Sequence, residues 1–306
     1  MRIAVVTTSF PSYEGDPSGH FVETEVTEMT RAGHDVRVLR PKAGGAFGWP
    51  GAPTRIRERP TRLFDAAGWV IRARRELAAF RPERIVAHWC IPSAIPVVLG
   101  LRSDARLGAE LEIVSHGGDV RLLCRLPRHV RAPLVRQALR HTTRWRFVSE
   151  ELRAALEESL DPADASALRA VSEVAPCRIE VPDVSEDARE KRKTVGDRRL
   201  YVCAGRLVAS KRVDKVIDYV ASNHPDGKPA RDERVLVVLG DGPERPHLER
   251  LARAWQIDVR FLGKTTRREA LGWIGAADEL VHASHVEGLS TVVREASLLG
   301  VPVTLL

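Results

Sequence analysis

Short β-type apolar runs alternate strictly with longer helical patterns along this 306-residue chain, and that alternation narrows the fold more than any single motif. Strands are expected at 3–8, 36–39, 84–88, 112–115 and 144–148, with helices at 21–32, 62–80, about 129–141 and 149–159, Ser149 serving as the last N-cap. A second series has strands at 201–204, 235–239, 259–262, 279–282 and 301–306, and helices at 213–221, 243–255, 269–276 and 289–299. Strand–helix alternation builds parallel sheets, and its occurrence twice over predicts an α/β chain of two parallel-sheet domains. The expected boundaries are 1–181 and 200–306, joined by a charged, apolar-poor hinge at 182–199.

At 43% hydrophobic residues the chain can bury a large core, yet it has no apolar run of the roughly 18 residues needed to span a bilayer. Met1 to Val6 reads as a strand and lacks the cleavage region of a secretory leader. The cysteines Cys90, Cys124, Cys177 and Cys203 are far apart, with neither paired nor metal-type spacing. A reduced, cytoplasmic protein is therefore expected. The net charge of +7 directs attention to anionic partners. No nucleic-acid module is recognisable. Residues 121–146 contain arginines and no Asp or Glu, alongside Val130, Leu134, Val135, Ala138 and Leu139. Phe47 and Trp49 precede Arg55, Arg57, Arg59 and Arg62. Such a segment suits an anionic membrane surface on the cytoplasmic side. A solvated basic face over an ordinary core helix fits it equally well.

The chemistry-bearing residues fall at strand C-termini, the edge where open α/β sheets bind ligands. Glu287 sits in the loop after strand 279–282, and Glu295 lies in the following helix, which Gly300 stops. Helix-start amides suit phosphate, while a carboxylate beside them suits ribose hydroxyls. Offsetting the helix dipole is the plainer use of such acids. Gly205-Arg206 with Lys211 supplies two cations beside another helix start, as a diphosphate requires. Gly240-Asp241-Gly242-Pro243 and Leu262-Gly263-Lys264 close two further strands. Neither is a dinucleotide fingerprint nor a P-loop. His282, His285 and Glu287 lack a recognised ligand spacing, so no metal is expected.

In this order, Gly205-Arg206, Lys211, Gly240-Asp241-Gly242-Pro243-Glu244, Phe261-Leu262-Gly263, Glu287-x7-Glu295 and Gly300-Val-Pro-Val resemble the donor domain of retaining glycosyltransferases of family 4. In the first half, Ser9-Phe10-Pro11, Gly19-His20-Phe21-Val22, Ala32-Gly33-His34-Asp35-Val36, Ser115-His116-Gly117-Gly118-Asp119 and Val148-Ser149 resemble that family's acceptor domain. The resemblance implies the GT-B fold: two Rossmann-like domains facing a cleft, with the donor in the second. It assigns Arg206 and Lys211 to the diphosphate and Glu295 to the ribose. Glu287 and His116 would serve the transferred sugar as catalytic residues. Gly288, Leu289, Ser290 and Thr291 would lie near the phosphates, and Leu262, Gly263 and Lys264 near the base. Gly19 would let its loop approach the donor. Gly288-Leu289-Ser290 stands where the family commonly has Gly-Phe-Gly, and the chain stops at Leu306, where family members continue, so the second domain reads as truncated. The expected activity is sugar transfer from a nucleotide-diphosphate sugar, with retention and no metal, to an acceptor that the residues do not name. A non-catalytic nucleotide-sugar-binding relative and a sugar-nucleotide epimerase are the alternatives.

Overall fold

Two all-parallel sheets organise the protein. The computed structural model describes residues 1–42, 45–47, 52–101, 108–222, 233–284 and 289–306. They divide into one unit of Met1–Ser12 with Ser18–Arg178, and a second of Tyr13–Pro17 with Ile179–Leu306.

In the first unit β1 (Arg2–Val6), β2 (Asp35–Leu39), β3 (Arg84–His88), β4 (Glu110–Ser115), β5 (Thr142–Phe147) and β6 (Ser172–Val174) lie in the order β2-β1-β3-β4-β5-β6. The accompanying helices are α1 (His20–Arg31), α2 (Ala52–Glu58), α3 (Arg62–Phe80), α4 (Ile95–Leu101), α5 (Gly118–Arg125), α6 (Arg128–Leu139), α7 (Glu150–Glu158) and α8 (Pro162–Val171). Consecutive residues Ile3 to Val6 of β1 and Ile85 to Ala87 of β3 are all buried, as parallel strands covered on both faces must be. The order reverses between β1 and β3, which makes the carboxyl ends of these two strands the unit's topological switch point. The elements α2, α4, α5, α8 and β6 have no counterpart in the sequence reading. β6 is only Ser-Glu-Val at the sheet edge, and α5 is eight residues that open on Gly118 behind a Gly117 N-cap, so neither carries an apolar period of useful length.

The second unit contains β7 (Arg199–Ala204), β8 (Arg234–Leu239), β9 (Asp258–Gly263), β10 (Glu279–His282) and β11 (Val303–Leu305), in the order β11-β10-β7-β8-β9. Its helices are α9 (Ser185–Lys193), α10 (Val213–Ala221), α11 (Arg245–Trp255), α12 (Arg267–Ala276) and α13 (Thr291–Leu298). The sheet grows outward from β7, first through β8 and β9, then on the other side through β10 and β11. Its switch point therefore lies between β7 and β10. α10 buries Val213, Val216, Ile217, Val220 and Ala221, an i, i+3, i+4, i+7, i+8 stripe. Burial of each larger side chain in it contributes about 1.5–3 kcal/mol. α12 starts where the Thr266 hydroxyl accepts the Glu269 amide at 3.2 Å.

Residues 182–199, expected as a hinge, hold α9, which packs on α12. Gly272 of α12 lies so near that a Cβ there would stand 2.9 Å from Asp187 Cβ. Arg268 reaches Asp187 at 2.6 Å and Arg192 reaches Asp278 at 2.8 Å. α9 itself buries no residue and docks through charge pairs, so its sequence carries no apolar stripe to read.

The β7 and β8 loops touch through their backbones. Gly240 has φ +125, and a Cβ there would meet the Gly205 carbonyl oxygen at 2.0 Å. Replacing Gly240 by Ala should lower unfolding free energy by at least about 2 kcal/mol, from overpacking and a disfavoured φ together. Gly68, in α3 with open space around its Cβ position, should instead gain about 0.5–1 kcal/mol as Ala. Urea denaturation of the two variants checks the contrast, and equal effects would contradict the close approach.

Candidate functional site

At the β7–β10 switch point, β7 ends in Ala204 and passes through Gly205, whose φ of +154 turns the chain outward. A short turn at Ala209–Lys211 then returns Lys211 to the loop. The Lys211 stem crosses Gly205, its Cε 3.9 Å from the position a Cβ would take there. The ammonium charge acts on both neighbouring strand ends. Burial, then Lys211, pushes His282 of β10 down to about 4, so that imidazole is neutral at pH 7. Burial pushes the Cys203 thiol up to about 12, with Lys211 opposing, so it is no nucleophile. Arg206 is exposed beside them. Desolvation lowers its pKa, but a guanidinium stays cationic.

On the opposite side of the switch, β10 leads through Ala283 and Ser284 to Leu289, Ser290 and α13, which begins at Thr291. Glu287 and Gly288, with His285, lie outside the described residues. Ser290 is the N-cap of α13, and its hydroxyl makes no bond to the helix amides. Glu295 is buried inside the helix. Its Oε1 accepts from Arg267 Nε at 3.0 Å and Nη2 at 2.9 Å. Burial raises the Glu295 pKa, while Arg267 and then Arg294 pull it down. Arg267 is also anchored through Nη2 to the Glu180 carbonyl at 2.6 Å. The Glu295 carboxylate is therefore oriented by a partner from α12, which no motif spacing could reveal.

β9 contributes Leu262, Gly263 and Lys264. Leu262 and Lys264 are exposed, and the Gly263 carbonyl accepts the Gly240 amide at 2.8 Å. Arg245 of α11 spans the same loop, donating to the Phe261 carbonyl at 3.2 Å and to Glu249 at 2.8 Å. Gly242 serves packing as well: a Cβ there would lie 2.3 Å from the Leu207 carbonyl oxygen.

In the first unit, Gly19 has φ +68, and its Cβ position lies 2.4 Å from the Ser9 carbonyl oxygen. Contacts within its own loop thus already require glycine there. His116 follows β4. Asp119, at the start of α5, accepts from the amides of His116 (3.2 Å), Gly117 (3.1 Å) and Cys90 (2.8 Å) and so fixes the loop. The His116 ring lies 4.5 Å from Trp89 and 4.9 Å from Phe21. Its Nε2 is 3.1 Å from Nδ1 of His88, a residue at the end of β3 that the motifs did not single out. Burial, then Arg146, pushes His88 down to about 3; burial, then His88 and Arg146, holds His116 well below its ordinary value. Both rings are neutral at pH 7. Among the described residues His88, His116 and Cys177 bring potential metal-ligating atoms within 4.8 Å of one another.

The basic segment 121–146 is largely engaged within its own unit. Arg128 and Arg136 pair with Asp161, Arg136 also with Asp164 at 2.9 Å, and Arg144 with Glu173. Arg131 donates to the carbonyls of Cys124, Leu126 and Ser159. Arg146 is enclosed by Glu25 at 2.6 Å and Glu112 at 3.1 Å. The acids that offset this segment come from outside it, which is why its sequence looks uncompensated. Of the aromatic pair expected beside it, Phe47 packs against the unit's own core, and Trp49 lies outside the described residues.

Residues 184–305 match the family model described as Glycosyl transferases group 1. Over 327 aligned residues the chain is 27% identical to a GDP-mannose-dependent alpha-(1-6)-phosphatidylinositol monomannoside mannosyltransferase of Mycobacterium tuberculosis (strain CDC 1551 / Oshkosh), covering 99% of this chain and 79% of that protein. Anabaena Alr3699/HepE, solved in complex with UDP-glucose, matches with a TM-score of 0.65 at 17% identity, covering 100% of this chain and 80% of that one. Sucrose-phosphate synthase from Thermosynechococcus elongatus matches with a TM-score of 0.71 at 16% identity, covering 99% and 80%.

The buried imidazole at the switch point makes stability depend on pH. The folded value for His282 is about 4 and the ordinary value 6.5. Within that window the unfolded chain holds a proton that the folded chain lacks. Stability is therefore full above 6.5 and falls as pH drops towards 4. His282→Asn should remove about 1–3 kcal/mol of the difference between pH 7 and pH 4.5, measured by urea denaturation. His88 keeps its own acid slope in that variant. An undiminished difference would show that His282 is not the source.

Proposed function

We infer that residues 184–305, which match the Glycosyl transferases group 1 model, form a domain of that family within a chain that has the GT-B fold. From that premise we propose that the protein transfers a sugar from a nucleotide-diphosphate sugar to an acceptor with retention of anomeric configuration. The observation that carries this reading is the pair of cations, Arg206 and Lys211, at the β7–β10 switch point, with the start of α13 on its other side. The known mannosyltransferase is named for GDP-mannose and the cyanobacterial neighbour holds UDP-glucose, so a sugar linked to a nucleoside diphosphate is the donor class.

In this reading Arg206, Lys211 and the amides at Leu289 to Thr291 meet the diphosphate, and Glu295 takes the ribose hydroxyls. Leu262, Gly263 and Lys264 border the base. Glu287 and His116 attend the transferred sugar. Charge builds on the diphosphate as its bond to the anomeric carbon breaks. Fixed cations and helix amides at that place are the preorganised stabilisation on which such catalysis depends. The acceptor oxygen forms the new bond on the face the diphosphate leaves, and its proton passes to a diphosphate oxygen. The protein's own cations supply the counter-charge, so turnover is expected to survive EDTA.

A proton NMR time course with UDP- and GDP-sugars, a panel of saccharide and lipid-linked acceptors, and EDTA tests the proposal. The first-formed product should keep the donor's anomeric configuration. An inverted product would sink the mechanism. An isomerised donor without transfer would favour an epimerase, and donor binding without turnover a non-catalytic relative.

A further inference from the structure

His88 has no exposed surface, and both of its ring nitrogens face ionisable or hydrogen-bonding groups. Nδ1 stands 3.1 Å from His116 Nε2, while Nε2 looks towards Glu25 Oε2 at 3.7 Å. Glu25 is held in place by Arg146, which reaches its Oε1 at 2.6 Å. Arg146 is fixed in turn by Glu112 at 3.1 Å. We propose that His88 is a positioning residue that sets which nitrogen of His116 carries the proton, leaving His116 Nδ1 as a hydrogen-bond acceptor towards the transferred sugar.

The assignment follows from the donors and acceptors. A carboxylate has no proton to give, so the His88 nitrogen that faces Glu25 is the one that keeps its hydrogen. Nδ1 of His88 then holds a lone pair and accepts the hydrogen on His116 Nε2. A neutral imidazole has one hydrogen, which leaves His116 Nδ1 bare. The reverse arrangement would aim a lone pair of His88 at the Glu25 charge. Burial and the nearby Arg146 keep both rings neutral, so this order is not erased by protonation at neutral pH. Trp89 and Phe21 hold the His116 ring, and Asp119 holds its backbone, so ring orientation is set independently of the proton. The functional half of the inference rests on the reading of His116 as the residue that attends the sugar; the proton's location does not.

Long-range proton–nitrogen correlation spectra of histidine-labelled protein decide the location. Nε2 of His116 should be protonated and Nδ1 bare, and a hydrogen on Nδ1 would overturn the proposal. Turnover decides the role. His88→Phe should lower kcat on the order of tenfold to a hundredfold, part of what a placed proton-handling group contributes, with KM for the donor unchanged. His88→Asn, whose amide oxygen can again accept from His116, should recover most of the loss. Unchanged kcat in His88→Phe, or equal losses in both variants, would refute the positioning role. Should the wild type show no turnover with any acceptor, the glycosyl-transfer reading fails, while the spectrum still locates the proton. The wild-type spectrum also stands if His88→Phe does not fold.

Discussion

Backbone contact between successive β–α loops is the constraint on which the second unit's site depends. The Gly205 amide bonds the Leu239 carbonyl at 2.9 Å, the Leu207 amide bonds Asp241 at 3.0 Å, and the Gly240 amide bonds Gly263 at 2.8 Å. Three loops are thereby joined into one rigid edge. The glycines permit it, since a side chain at Gly240 or Gly242 would overlap a neighbouring carbonyl. Arg206, Lys211 and Lys264 project from this edge, so their positions are inherited from backbone hydrogen bonds. Under the proposed function, an edge assembled this way would lose little entropy on binding a diphosphate, which is the benefit of preorganisation.

The first unit fixes its site by a different means. Arg84, Glu112, Arg146 and Glu25 form a chain of ion pairs along one face of the sheet, with Glu112 and most of Arg146 out of solvent. Buried pairs of this kind are weak contributors to stability, because desolvation offsets most of the attraction. Their geometric consequence is firmer: they place a carboxylate opposite the buried His88. Trp89, next in the chain, is held at φ +68 with its amide on the Val114 carbonyl at 2.7 Å. A non-glycine residue in that region costs roughly 1–3 kcal/mol. It stands beside the two histidines, where local strain commonly serves a function.

The sequence made the sheets legible because parallel strands are apolar on both faces, so runs such as 235–239 stand out without any partner being known. The site loops were legible for a related reason: each is fixed to a strand end, and glycine marks the turn. What escaped was tertiary. α9 docks by charge rather than by an apolar stripe, and 182–199 therefore looked like a linker. Arg267 on Glu295, His88 on His116 and Asp119 under the His116 loop are partners brought from other elements, at separations that no spacing rule encodes. The same blindness made residues 121–146 look like an uncompensated basic surface, when their acids sit at 25, 112, 161, 164 and 173. The family resemblance implies that Gly19 gives clearance for a ligand, and the Ser9 carbonyl supplies a reason inside the fold.

In the proposed reading, donor binding in the second unit depends on a diphosphate held by the cations at the β7–β10 switch point. Calorimetric titration of UDP and GDP into the wild type, Arg206→Ala and Lys211→Ala measures this without any acceptor being known. Loss of a charged hydrogen bond at either position should weaken binding by about 1.5–3 kcal/mol, roughly ten- to a hundredfold in Kd, with folding intact. Unchanged affinity in both variants would contradict a diphosphate site built on these two side chains.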